Sequence, residues 1–194
     1  VDEMIELFDL KDINRAASTF NNEKLLWLNH HYLMNDDPGH VAEHLKWHFD
    51  QAGIATDTGP ALTDLVKVQR ERCKTLVEMR EMSLFLYQDF DRYDEKSVKK
   101  HFKAKCLPVL QHMLEQLSAV DSWNAQNIHD LVENAAQSMD KKMGEIAQPL
   151  RVAVAGKAVS PPIDITLELL GKDRTLQRIA KAISVVEKKI TEAL

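Results

Sequence analysis

Two cysteines among 194 residues, Cys73 and Cys106, are too few for a disulfide framework. That points to a reducing compartment, and the cytoplasm is the expected location. Glycine and proline are scarce, six of each. No glycine loop of P-loop or Rossmann type can be found, and neither GxSxG nor HExxH occurs. No apolar run is long enough to cross a membrane and no secretory signal opens the chain, so no membrane partner is expected. Period-two alternation of useful length is also missing, which excludes a sheet-based fold. A net charge of −5 argues against DNA as a partner.

What is present favours helix. The chain is 44% hydrophobic and 28% charged, with abundant Ala, Leu, Glu, Lys and Met. Apolar periodicity yields an all-α reading with roughly ten helices. Two helical subdomains are expected, residues 1–95 and 96–194. Already helical from Asp2, the chain reads as a piece of a longer protein. Residues 141–194 carry ten Lys/Arg against six Asp/Glu, and residues 1–140 fifteen against twenty-four. A basic C-terminal part on an acidic body suits a local phosphate-facing surface.

Start signals recur before apolar runs. Asn21, Asp37 (with Pro38), Thr75 (with Glu78), Asp94 or Ser97, and Asn124 are candidate N-caps. The spacing predicts helices over 22–34, from Pro38 towards Gly53, over 60–72, through Met79 to about Gln88, and from Asp94 through Lys105. The first of these is apolar nearly all round (Leu25, Leu26, Trp27, Leu28, Tyr32, Leu33), so burial is expected. One or two short helices over 2–18 carry Met4, Ile5, Leu7, Phe8, Leu10 and Ile13. The last helix repeats Leu176, Ile179, Ile183, Val186 and Ile190, beside a stripe of Arg174, Arg178, Lys181 and Lys188. Those two faces open the alternative of a helical protein-interaction domain with no RNA ligand.

Two constellations were weighed for chemistry. His40, His44 and His48 share a helix face, and two of them could bind a metal. They match no recognised pattern, and His44 and His48 fall within an apolar stripe, so no metal site is expected. Cys73, between Arg72 and Lys74, has flanks that lower a thiol pKa, yet no His–Asp or His–Asn signature accompanies it. No catalytic residue is nominated.

The densest stretch is Gln148-Pro149-Leu150-Arg151 through Gly156, Ser160-Pro161-Pro162-Ile163 and Leu170-Gly171-Lys172. Ser160 is read as an N-cap with Pro161 at the first helical position, and Gly156 and Gly171 as helix-closing residues. An arginine among helix ends suits unstacked RNA bases, which it can pair with or stack on.

Three blocks, Lys24-Leu25-Leu26-Trp27-Leu28-Asn29-His30-His31-Tyr32, Glu71-Arg72-Cys73-Lys74-Thr75-Leu76, and 148–172, resemble in the same order those of bacterial glutamyl-tRNA synthetases. The chain resembles the C-terminal, anticodon-binding half of that family, of the gammaproteobacterial type. The resemblance implies an all-helical cage around the anticodon loop of tRNA-Glu. Anticodon contacts then fall to Arg72, Leu150, Arg151, Ser160, Pro161 and Ile163, with Arg72 matching the reader of the third anticodon base. Lys74, Lys157, Arg174, Arg178 and Lys181 are candidate backbone contacts. The sequence departs from many members in having Pro162 where they have Gly and Ala155 where they have Thr. The family's catalytic half, with its HIGH-type and KMSKS-type signatures, ATP and Mg, has no counterpart here. This piece is therefore expected to bind tRNA without a cofactor and without charging it, as a monomer covalently preceded by the catalytic domain.

Overall fold

Short polar side chains begin the helices as expected. Asn21 accepts the Lys24 N–H at 3.0 Å, and Asp37 those of Gly39 and His40 at 2.9 and 3.1 Å. Thr75 accepts from Glu78 (3.1 Å), Asp94 from Ser97 (2.7 Å) and Asn124 from Asn127 (2.9 Å). Each satisfies an amide that the first helical turn leaves unpaired. The computed structural model describes residues 2–13 and 19–192. Its helices are α1 (Asp2–Leu7), α2 (Asn22–Asn35), α3 (Pro38–Gln51), α4 (Leu62–Gln69), α5 (Leu76–Tyr87), α6 (Glu95–His101), α7 (Leu107–Ser118), α8 (Ala125–Ser138), α9 (Met143–Ala155), α10 (Ile163–Leu170) and α11 (Lys172–Glu192). No strand occurs among the described residues, and the fold is all-α.

The elements fall into two packed groups. In one, α3 lies against α4 and α5 around Leu45, Phe49, Leu65, Val66 and Met79. In the other, α11 packs on α7 and α9, and α8 on α7, α9 and α10, around Leu110, Met113, Ile128, Leu150, Leu167 and Ile179. Side chains stitch the second group: Trp123 Nε1 donates to the Leu167 carbonyl at 3.0 Å, and Lys172 Nζ to that of Val120 at 2.7 Å.

The groups meet where α5 and α6 touch α9. Gly156 closes α9 with φ +74°, and a Cβ there would come within 3.1 Å of the Phe90 ring. Only glycine combines that left-handed backbone with so close an approach. The Gly156 carbonyl then accepts the Asp94 N–H at 2.8 Å, which ties the start of α6 to the end of α9.

Several expectations change. The helix read over 60–72 is confined to Leu62–Gln69, and the basic helix from Asp94 ends at His101, with Phe102 as C-cap. Of α2, expected to be buried, only Leu33 is buried; Trp27 is 63% exposed, Tyr32 62% and Leu25 50%. Asn29 Nδ2 donates to the Lys74 carbonyl, and His30 Nδ1 meets that of Cys73 at 2.9 Å, which fastens α2 at its polar face. The apolar residues of α1 are exposed too, while 14–18 of the expected N-terminal helices lie outside the described residues. The α11 face offered for a partner is core: Ile179, Ile183 and Val186 are buried. No helix among the described residues is long and apolar enough to cross a membrane.

Candidate nucleic-acid interface

The α9–α10 turn is built by consecutive prolines. A proline disfavours the α region for the residue before it, so Pro162 keeps Pro161 out of the helix. Helix α10 accordingly starts at Ile163 with Pro162 as N-cap, not at Pro161 behind a Ser160 cap. Pro162 sits at φ −45°, which its ring permits, so the turn needs no glycine there. Freed from capping, the Ser160 hydroxyl lies 3.0 Å from Thr166 Oγ1 and 2.9 Å from the Pro161 carbonyl. Thr166 Oγ1 donates to that same carbonyl at 3.1 Å.

Two arginines converge on this buried serine. Arg151 donates from Nε to Ser160 Oγ at 3.0 Å and from Nη2 to the Pro161 carbonyl at 3.4 Å. Arg72 donates from Nη1 to the Ser160 carbonyl at 3.1 Å. Burial, then the like charge of Arg72, holds the Arg151 pKa below its ordinary value, with Asp164 opposing. Asp164 opens α10 and meets His129 Nδ1 at 3.1 Å. Arg151 is half-buried and Arg72 exposed, so both keep donors open to solvent while their planes are fixed from behind. Such a pair can read base edges or stack on bases.

The other nominated contacts divide. Leu150, Ser160, Pro161 and Ile163 are all buried. Leu150 is wholly inside, which leaves its side chain no surface for a base; it packs the wall behind Arg151. Exposed beside the turn are Val159, at 58%, and Pro162. Sequence reasoning passed over Val159, since a lone valine before Ser-Pro-Pro carries no periodic signal, and took Pro162 as a departure from the family pattern and not as a contact. It also missed Asp164 and His101. The His101 pKa is lowered first by burial and then by the charges of Lys100, Lys103 and Arg151.

The basic stripe of α11 turns inward. Arg178 is buried and donates from Nη1 to the carbonyls of Phe85 (2.8 Å) and Val154 (2.6 Å), and from Nη2 to that of Gln88 (3.0 Å) and to Asp89 (2.8 Å). Arg174 donates to the Leu86 carbonyl at 2.7 Å and the Thr58 carbonyl at 3.2 Å. The buried Arg178 guanidinium is not left for phosphate, whereas Arg174 stays half-exposed; both cap the carbonyls ending α5, where a helix favours positive charge. Lys181 reaches the Phe90 carbonyl at 3.3 Å yet stays exposed. Lys74 is exposed and Lys157 half-exposed.

Cys73 is corrected as well. It is buried, and burial pushes its thiol up to about 11, with Glu78 adding to the shift and Arg72 opposing it. The flanking cations do not make it a thiolate.

A family described as "Anticodon binding domain" matches residues 40–183. The chain is 47% identical over 190 residues to glutamate–tRNA ligase 2 of Halorhodospira halophila, covering 98% of this chain and 40% of that protein. It is 46% identical over 187 residues to glutamate–tRNA ligase 1 of Nitrosococcus oceani, covering 96% and 40%. Among solved structures, a glutamate tRNA ligase from Elizabethkingia meningosepticum superposes with TM-score 0.84 at 25% identity, over 95% of this chain and 36% of that one. A glutamate-tRNA synthetase from Elizabethkingia anophelis gives 0.77 at 26%, over 94% and 36%. The chain thus spans about two fifths of the length of these curated relatives. With the family match running across α3 to α11 and the paired arginines inside it, the chain belongs to the anticodon-binding-domain family.

Proposed function

We propose that the chain is the anticodon-recognition module of a glutamate–tRNA ligase, holding the anticodon loop of tRNA-Glu. The observation that carries this reading is the convergence of Arg72 and Arg151 on Ser160, which brings two cations from different helical groups to one point. Arg72 takes the third anticodon base, and Arg151 a neighbouring one with Val159 and Pro162 as the apolar floor. Lys74, Lys157 and Lys181 meet phosphate. Glutamate attachment, with its ATP and Mg, belongs to a part of the protein outside this chain, and this module binds without catalysing. The protein works in the cytoplasm as a monomer. The boundary between the two recognition subdomains lies at 95/96, at the start of α6.

The exposed apolar residues of α1 and α2 favour an attached remainder over a free-standing interaction domain. Trp27, Leu28 and Tyr32 are exposed and are what an interface core needs. We take them as the seat of the catalytic part. The test of function is binding of this chain to tRNA-Glu transcripts that differ at single anticodon bases. Arg151→Ala is expected to weaken binding and blunt discrimination at one base by about 1–3 kcal/mol, by analogy with base readout in duplexes. Equal binding by mutant and parent, at every base, would refute the assignment.

A further inference from the structure

We propose that His40 and His44 form a site for a divalent transition metal of the zinc type, with Asp36 as its orienting carboxylate. The two histidines sit one turn apart on α3, and both are exposed; the expectation that His44 lies in the buried stripe does not hold. Their Nε2 atoms stand 3.2 Å apart. Two imidazole nitrogens bound to one tetrahedral zinc, each at its ordinary bond length, stand about 3.3 Å apart. The two nitrogens thus already stand at the separation that one zinc ion requires.

The second observation is the far side of His40. Its Nδ1 lies 2.7 Å from Asp36 Oδ2. Metal-bound histidines characteristically donate the other ring nitrogen to a carboxylate, which fixes the tautomer and leaves the Nε2 lone pair outward. Asp36 is itself held: its Oδ1 accepts the Asp37 N–H at 2.8 Å, in the tight turn between α2 and α3. His40 keeps the Asp36 pKa below its ordinary value, chiefly through their hydrogen bond. Ligand and orienting carboxylate therefore come preassembled from α3 and the turn that precedes it.

Without metal, one imidazole donates its Nε2 proton to the other, and a cation replaces that proton. Among the described residues no third His, Cys, Asp or Glu completes a cluster, so water takes the remaining positions. Both histidines are exposed to solvent, and on its other side His40, with the exposed Glu43, borders an open groove of about 900 Å³ that Asp57 also lines. Carboxylates predominate there, and Lys46 is paired with Asp50 at 2.7 Å. Imidazole donors select zinc, nickel or copper, whereas magnesium and calcium require oxygen. His48, half-buried and edge-on to Trp47 with centroids 4.9 Å apart, takes no part.

The experiment is a calorimetric titration of the chelator-treated chain with zinc, with thermal melts of each variant as the check on folding. One saturable equivalent is expected. His40→Gln and His44→Gln should each weaken binding by at least ~10-fold, and Asp36→Asn by about 10-fold. His48→Gln should bind as the parent does, and magnesium should neither bind nor compete. The proposal is overturned if zinc shows no saturable binding below ~100 μM, if folded His44→Gln binds like the parent, or if Asp36→Asn leaves the affinity unchanged.

Discussion

Arg151 and Arg72 repel one another, yet both end on Ser160, and the cost of that juxtaposition is met by Asp164 and by the oxygens around the serine. An arrangement that holds two cations together without an internal counter-ion for each leaves capacity for an anionic or acceptor-rich ligand. At this scale the two arginines should behave differently from the lysines. Lys74→Ala or Lys157→Ala should weaken tRNA binding without regard to anticodon sequence and lower the salt slope by about 1 each, read from filter binding across a salt series. Cys73 supplies a second residue-level prediction. Its unfolded thiol ionises from about 9.0 and the folded one only at about 11, so above pH 9 unfolding releases a proton and stability falls as pH rises through that window. Tyr93, pushed up to about 12 by burial, works in the same sense from pH 10 upward. Melting temperature should therefore drop between pH 9 and 11, and less steeply in Cys73→Ala. Iodoacetamide should leave Cys73 unmodified at neutral pH in the folded chain.

Among the elements, α11 is the one whose role its sequence conceals. The 3–4 spacing of Ile179, Ile183 and Val186 marks the buried face correctly. The adjoining arginines look like a solvated or phosphate-facing stripe, because the carbonyls they cap lie about ninety positions earlier, in the last turn of α5. No local pattern encodes that partnership. Cap residues were legible for the opposite reason: Asn21, Thr75 and Asn124 act on amides three positions away. The exception, Ser160, fails through local chemistry too, since Pro162 denies Pro161 a helical conformation and releases the serine to hold Arg151. Removing the α5 clamp should be severe. Arg178→Ala leaves buried carbonyls without a donor, a change expected to cost about 3 kcal/mol or more. For a chain of this size that lowers the melting temperature by roughly 6–12 °C. Lys181→Ala, at an exposed site, should shift it far less.

For the whole molecule, two parts of the surface carry different messages. The arginine pair where the helical groups meet is polar and held by hydrogen bonds to Ser160. The α1–α2 face is apolar and exposed, with α2 held to the body through Asn29, His30 and the buried Leu33. The periodicity of α2 correctly signals a helix but not its burial, which depends on what lies opposite: among the described residues of α2 only Leu33 is buried. Replacing Trp27 and Tyr32 by Gln should leave the melting temperature of this chain almost unchanged, each substitution falling within about 0.5 kcal/mol. In the longer protein the same changes should lower the melting temperature, measured by calorimetry of both forms. The paired arginines remain the point on which the functional account rests. The most direct test measures the affinity of the parent chain, Arg72→Ala and Arg151→Ala for tRNA-Glu and for transcripts altered at each anticodon position. The account predicts that each mutant loses discrimination at one position, a different one for each arginine. Uniform loss across all transcripts, or none, would contradict it.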